Sequence, residues 1–513
     1  MNHLARRDFR SHSPRPRPHV VLMTTLMLVA ACSLSTWADL ARDVQRAIQE
    51  SDLRDVTIAV SIEDAERSRS LVALRANEAL IPASNFKVLT TGTALHVLGP
   101  TFSFSTQLLY DGSRLTVVGD GDPGFGDPDL LALLQVGAQE GVSLQAFLDL
   151  WIQPIVARGI THLDAIIVDD RIFDRELIHP SWPREQLNRR YCAEVAGFNF
   201  HLNLLSFYPQ AVPGGQPELS NFEPHVRWLN LTRNTATSNA KQGNTIAIAR
   251  PFNTNNLSFY GNVRSTMTVP AQVTVHDMPD FFARLLKESL EARGITVATA
   301  RAAASDDPAP RGDVIAPIVR TPLATAITRC NRDSQNMYAE ALLKRAGAAL
   351  TSQTQPGSFS NGAAAVQMVV HERLGERELL EPLVVADGSG LSRENRVSAA
   401  LITAWLNSFH QDAELGLVFR DSLAVGGMSG TLEKRFNTPD FAGVRVYGKS
   451  GHIDGVSCLS GYVVIEGGAT RSFSILCNDV PKSQVLAAKR LQERIVKLIA
   501  ESMYAEAVVN VGG

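Results

Sequence analysis

The chain has 513 residues, 45% hydrophobic, 20% charged and 7% aromatic, the composition of a folded globular protein too long for one compact core. Its 49 Lys and Arg against 52 Asp and Glu leave a formal charge of -3, and no basic run follows the first twenty residues. That balance argues against a nucleic-acid partner.

Arg6, Arg7, Arg10, Arg15 and Arg17 precede an apolar run, VVLMTTLMLVAA, too short to span a bilayer as a mature helix. Residues 1–38 therefore read as an export segment, which places the mature protein in the periplasm. Two processing routes are open. Thr36-Trp37-Ala38 suits an ordinary signal peptidase, whereas Val29-Ala30-Ala31-Cys32 resembles a lipobox that would leave a lipid anchor on Cys32. RRDF at 6–9 resembles a twin-arginine signal, but prolines and a histidine part it from the apolar run. No later stretch is long and apolar enough to cross a membrane.

Residues 39–103 mix helix and strand: LARDVQRAIQES has helical spacing, DVTIAVSIEDA alternates, and IPASNFKVLTTGTALHVL begins a buried helix. From 104 to 275 strands, turns and polar loops dominate. FSTQLLYDGSRLTVVGD is a hairpin around Asp111-Gly112, and AIIVDDRIFD, VRWLNLT, NTIAIAR and LSFYGNV are strand candidates. One helical pattern, LLALLQVGAQEG with LQAFLDLWIQPIVARG, interrupts them. From DFFARLLKESLEARGI onward helices return, and the chain closes with strands YVVIEGG and SFSILCN, an amphipathic helix and a short tail at 506–513. The economical architecture is a split α/β domain, 39–103 plus 276–505, holding a β-rich insertion of two subdomains. Within CLSGYVVIEGGATRSFSILC, a turn at Gly467-Gly468 would set Cys458 opposite Cys477. The pair is either a disulfide or two small buried strand residues.

The chemistry begins at Ser84 and Lys87. Residues three apart share a helix face, so hydroxyl and amine can touch. Burial disfavours the ammonium, and a neutral amine can take the serine proton to make a nucleophile. The spacing alone is weak, since Ser238 and Lys241 repeat it in the polar stretch TRNTATSNAKQGN, where the lysine would be solvated.

Two further stretches strengthen the case. Ser334-Gln335-Asn336 lies at the mouth of a helix, and Lys449-Ser450-Gly451 lies on a strand. Ser334 can relay a proton from Lys87 to a leaving nitrogen. Asn336 offers an amide to a substrate peptide, and Lys449 with Ser450 can grip a terminal carboxylate. Backbone N–H groups at 449–452, with that of Ser84, can form an oxyanion hole. The three clusters, in this order, resemble the signature of penicillin-binding proteins and class A β-lactamases.

With VVGDGDPGFGDPDL, IIVDDRIFD, RRYCAEVAGFNFHLN, VADGSGLSRENRVS and AVGGMSGTLEKRF, the sequence is similar to the class C low-molecular-mass penicillin-binding proteins, the D-alanyl-D-alanine carboxypeptidase/endopeptidase family. The likeness spans nearly the whole mature chain. It implies an α/β (α+β) core of β-lactamase/transpeptidase type, an antiparallel sheet flanked by helices, with a large β-rich insertion between the first and second motifs. It implies Ser84 as acylated nucleophile, Lys87 as general base, Ser334 and Asn336 as the second motif, and Lys449, Ser450 and Gly451 as the third. Asp387, Gly388 and Ser389 fall where the family has a loop beside the site, and peptidoglycan peptides and β-lactams are the implied partners. Two departures stand out. Serine replaces the usual threonine at 450 and keeps the hydroxyl. His452 replaces a second threonine; its N–H still suits the oxyanion hole, and its ring reads as a spacer or hydrogen-bonding group.

GDGDPG at 119–124 has dinucleotide-loop spacing, but no helix follows to face a phosphate. Asp120, Asp122, Asp127 and Asp129 do not match a calcium loop. Asp169 and Asp170, in the inserted region, could reach a substrate amine but read rather as a solvated loop end. No cofactor or metal site emerges. Two rival readings remain, a non-catalytic cell-wall-binding protein on the same fold and a serine β-lactamase or esterase on the same core.

Overall fold

A computed structural model describes residues 39–136, 139–352, 354–375 and 377–511. The export segment, with Cys32 and both processing sites, lies outside the described residues. Both ends of the chain contribute to one six-stranded antiparallel sheet. Its order is Ala424–Val425, Val444–Ile453, Gly455–Ile465, Thr470–Val480, Thr57–Asp64, Arg69–Leu74. An N-terminal hairpin thus completes a C-terminal meander, with Thr57 opposite Asn478 and Asp64 opposite Arg471.

The inner strands are covered on both faces, which is why GVSCLSGYVVI and TRSFSILCNDV are nearly unbroken runs of small and apolar residues. On one face, the helix at residues 39–49 and the helix Val485–Val511 pack through Leu40, Val44, Leu491 and Ile495 onto Phe473 and Ile475. On the other lie the helices Lys87–Leu98, Leu323–Arg332, Asn336–Leu350, Phe359–Leu374 and Ala399–His410, joined by Leu89, Ile327, Leu342, Val366 and Trp405.

The terminal hairpin forms, but its register corrects one expectation. Cys477 stands opposite Ser457, and Cys458 opposite Leu476. A one-residue offset sends side chains to opposite faces of a sheet. Cys458 therefore joins the helical core and Cys477 the core beneath the C-terminal helix, both as free thiols. The disulfide is absent.

A second core builds the insertion. Its mixed sheet runs Thr296–Ala302, His162–Asp169, Arg114–Val118, Ser103–Tyr110, Asp313–Val314, with His162–Asp169 parallel to both neighbours. The helices Leu144–Ala157 and Met278–Glu291 bring Phe147, Trp151, Phe282 and Leu286 into this core. Two three-stranded sheets between residues 204 and 274 extend the same core through Phe207, Phe222 and Phe259, so one apolar core serves the insertion. Residues 278–316, placed by sequence in the second half of the split domain, also pack here. Helical periodicity reports a buried face without saying which core buries it. The chain returns to the main domain at Val319–Pro322, which pairs with Ser103–Tyr110 and leads into Leu323–Arg332.

The GDGDPGFGDPD segment docks one body on the other. Asp120 accepts from Arg345 Nε at 2.9 Å and Asp122 from Thr321 Oγ1 at 2.9 Å. Asp122 is fully buried, and desolvation pushes its carboxyl up to about 7. Asp127, also without exposed surface, takes Arg329 Nε at 3.0 Å and Arg329 Nη2 at 2.9 Å, with Tyr338 OH at 2.5 Å. Asp169 and Asp170 are not a solvated loop end either. Both are buried, paired with Arg171 and Arg175.

Arg329→Ala is expected to destabilise the protein by about 3–5 kcal/mol, because it leaves the Asp127 carboxylate buried without its cation. Urea unfolding of variant and parent measures the difference, and a loss below about 1 kcal/mol would mean that the docking lies elsewhere.

Candidate active site

Ser84 lies in the single 3-10 turn Ala83–Phe86 that runs directly into the helix Lys87–Leu98. Ala83 takes φ +47°, a left-handed conformation disfavoured for a residue with a side chain. Two glycines press on this turn. A Cβ at Gly390 would lie 1.8 Å from the Ala83 carbonyl oxygen. One at Gly451 would lie 2.9 Å from the Pro82 carbonyl and 3.0 Å from the Ser84 and Asn85 amides. The DGSGLS loop and the Lys449 strand therefore approach the nucleophile turn as closely as backbone allows.

Lys87 has no exposed surface. Its Nζ is 3.0 Å from Ser84 Oγ, 2.7 Å from Asn336 Oδ1 and 2.7 Å from the Ser389 carbonyl. Burial pushes its pKa below the ordinary lysine value, against the opposing pull of nearby acidic groups, Glu340 and Asp387 among them. The amine is saturated with partners and dry.

Lys449 is likewise fully buried; its Nζ donates to Ser334 Oγ at 2.9 Å and to the Ser450 carbonyl at 2.7 Å. Desolvation first, and then repulsion from Lys87, push its pKa well down. Ser334, expected beside Lys87, is thus engaged by Lys449, and Asn336, expected to face the substrate peptide, turns its Oδ1 to Lys87. Ser334 holds φ +61°, a second strained residue at this centre. Asn336 starts its helix and donates Nδ2 to the Tyr191 carbonyl at 2.8 Å, so the insertion reaches into the site. Ser450 Oγ donates to Thr431 Oγ1 at 2.8 Å, while the His452 ring is tied back to the Val456 carbonyl through Nδ1 at 2.9 Å.

Asp387 and Ser389, expected to touch substrate, are both fully buried. Asp387 organises its own loop, accepting from the amides of Gly390 and Ser392, from Asn395 Nδ2 and from Trp182 Nε1 at 2.7 Å. Ser389 turns its carbonyl to Lys87. Both act behind the surface, because short side chains in a tight turn satisfy backbone groups before they reach outward.

Glu340 was not singled out from the sequence. It is fully buried; its Oε2 accepts from Gly388 N at 2.7 Å and its Oε1 from Ser389 N at 2.9 Å. Desolvation, reinforced by Asp387, pushes its carboxyl up to about 8. The signal was available, a lone acid in the apolar run MYAEALL, one helical turn beyond Asn336. Lys344, a further turn on, is also buried and pairs with Asp174 of the insertion at 2.6 Å.

These groups border a cleft of about 770 Å³. Ser84, Ser334, Asn336, Thr431 and His452 line one side, and Ser181, Gln186, Arg190 and Tyr191 of the insertion line another. The control pair, Ser238 and Lys241, stands elsewhere: Ser238 Oγ accepts from the Val212 amide, and Lys241 is exposed. Among the described residues, no three His, Cys, Asp or Glu side chains gather where they could hold a metal ion.

The profile of the D-Ala-D-Ala carboxypeptidase 3 (S13) family matches residues 40–502. The chain belongs to this family. A D-alanyl-D-alanine carboxypeptidase of Actinomadura sp. (strain R39) is 28% identical to this S13 peptidase over 495 residues, covering 92% of this chain and 86% of the relative. Penicillin binding protein 4 (dacB) of Haemophilus influenzae shares its fold. That structure has a TM-score of 0.69 at 19% identity, over 90% of this chain and 99% of the other. The same protein complexed with a novel β-lactam gives a TM-score of 0.64, again at 19% identity and with the same coverage.

Gly451→Ala is expected to push the strand off the Ser84 turn of the S13 peptidase. A displacement near 1 Å at such a site costs roughly 100-fold in rate. The acylation rate constant with a fluorescent penicillin should fall by that order while the melting temperature moves little. An unchanged rate would show that the close approach is dispensable.

Proposed function

We propose that the protein is an exported serine D,D-peptidase of peptidoglycan stem peptides, working through an acyl-enzyme on Ser84. The observation that carries this reading is the set of partners around Lys87 Nζ. Asn336 Oδ1 and the Ser389 carbonyl can only accept hydrogen bonds, whereas Ser84 Oγ can also donate. A neutral amine has two N–H groups and one lone pair. The two acceptors take the two N–H groups, and the lone pair is left for the Ser84 hydroxyl hydrogen. Geometry thus aims the basic form of Lys87 at the serine, and burial, which lowers the amine's pKa, favours that form.

In acylation, Ser84 Oγ bonds to the carbonyl carbon before the terminal D-alanine, and its proton passes to Lys87 Nζ. The carbonyl oxygen takes the electron pair and is held by the backbone N–H groups of Ser84 and His452. Collapse of this intermediate breaks the C–N bond, and the departing nitrogen takes a proton delivered by way of Ser334, whose hydroxyl is oriented by Lys449. Water then cleaves the ester and frees Ser84. A β-lactam enters the same way, and its ring-opened acyl group remains on the serine.

Lys449 lies beneath Ser334 rather than in the cleft, so a substrate carboxylate meets the hydroxyls of Ser450 and Thr431 first. Its negative charge would draw the buried Lys449 back to the ammonium form. The Actinomadura and Haemophilus relatives support a D-alanyl carboxypeptidase open to β-lactams. Peptidoglycan lies outside the cytoplasm, and the arginine-flanked apolar run before residue 39 supplies the route there.

Ser84→Ala should abolish covalent labelling by fluorescent penicillin and release of D-alanine from a pentapeptide, with the melting temperature retained. Label elsewhere on the variant would name a different nucleophile, and nitrocefin turnover outpacing D-alanine release would mark a β-lactamase. The acylation rate should rise with pH as Lys87 loses its proton, along a limb centred below the ordinary lysine value of 10.5. A limb at the ordinary value would remove Lys87 as the base.

A further inference from the structure

We infer that Glu340 is a positioning residue for the general base, a buried carboxyl group that clamps the Gly388–Ser389 turn so that the Ser389 carbonyl faces Lys87 Nζ. The inference rests on the role proposed above for Lys87 and adds a group that never meets the substrate.

The geometry is a bidentate clamp. One carboxylate oxygen accepts the Gly388 amide and the other the Ser389 amide, at 2.7 and 2.9 Å. The two carbonyls of the same turn are held from the opposite side by one helix. Thr90 Oγ1 donates to the Gly388 carbonyl at 2.7 Å, and Lys87 Nζ to the Ser389 carbonyl at 2.7 Å. Four polar groups of two consecutive residues are thereby fixed between the Asn336 helix and the Ser84 helix.

The turn needs such a hold. Gly390, next in sequence, carries φ +77° and closes on the Ala83 carbonyl, so any tilt of Ser389 also moves the nucleophile turn. The helix Asn336–Leu350 supplies both acceptors of Lys87, Asn336 directly and Ser389 through Glu340 one turn later. One rigid element thus sets both directions that leave the Lys87 lone pair pointing at Ser84. Ionised, the carboxyl accepts on two oxygens and has nothing to donate; protonated, it keeps one free acceptor and gains a donor, so holding both amides calls for the carboxylate form. The ionisable groups around Lys87 are the Cys330 thiol, Glu340 and Asp387, which favour its ammonium, and Lys449, whose own ammonium Lys87 disfavours.

The test compares penicillin acylation across pH for the parent and the variants Glu340→Gln, Glu340→Asp and Thr90→Val. Glu340→Gln turns an amide NH₂ towards one of the two backbone N–H groups. Glu340→Asp keeps the charge but withdraws both oxygens by a methylene. Each is expected to lower the plateau acylation rate of folded protein about 10- to 100-fold. The acid limb should also move to lower pH, because the Lys87 ammonium loses an acceptor. Thr90→Val loosens the same turn without touching that acceptor, and its limb should stay in place. If Glu340→Gln fails to fold, Glu340→Asp carries the comparison. Parent-like acylation in the Gln or Asp variant would overturn the inference. So would a loss matching only the unfolded fraction, with the limb unmoved, as a merely structural role requires. Absence of label in the parent would instead refute the serine-peptidase reading.

Discussion

A primary amine can remain in a dry protein interior only if its hydrogens find acceptors and its charge finds either a partner or a reason to leave. Lys87 meets both conditions with atoms drawn from residues 84, 336 and 389. Much of the architecture can be traced from that requirement. The six-stranded sheet brings the two ends of the chain together, the helical layer excludes water, and two glycines let loop and strand approach the turn. Remove any of these and the amine regains solvent, and with it the proton that keeps it idle.

The pair of buried lysines makes the centre unusually dependent on charge. Lys87 depresses the ammonium form of Lys449, burial depresses both, and the nearby acids act in the other direction, Glu340 and Asp387 on Lys87 and Asp333 on Lys449. Substrate arrives with a carboxylate of its own. Binding would therefore rearrange protons before any bond is broken, coupling recognition of the free terminus to readiness of the base.

Sequence alone was informative wherever chemistry is local. Ser84 and Lys87 share one helical turn, and the polar copy at Ser238 and Lys241 shows how context separates a site from a coincidence. The terminal hairpin was legible as a hairpin, yet its register was not, because alternation constrains faces and the sequence around Gly467 left the pairing free by one residue. Cys458 and Cys477 consequently parted. The far limit of the insertion was hidden for a related reason: Met278–Glu291 is amphipathic in any setting, and nothing in its pattern names the sheet it covers. Glu340 and the Tyr191 carbonyl were out of reach in a different way. One hides in an apolar run that reads as core, and the other acts through its backbone, which has no letter in the alphabet.

The distance along the chain between the two halves of this centre has a consequence for biogenesis. Asn336 follows Lys87 by 249 residues, and the strand carrying Lys449 comes later still. A nascent polypeptide emerging from the ribosome, or threading through a translocation channel, holds its reactive serine long before anything exists to awaken it. The enzyme is thus born latent. A truncated product would be an inert fragment rather than an unruly hydrolase loose beside the wall that it trims.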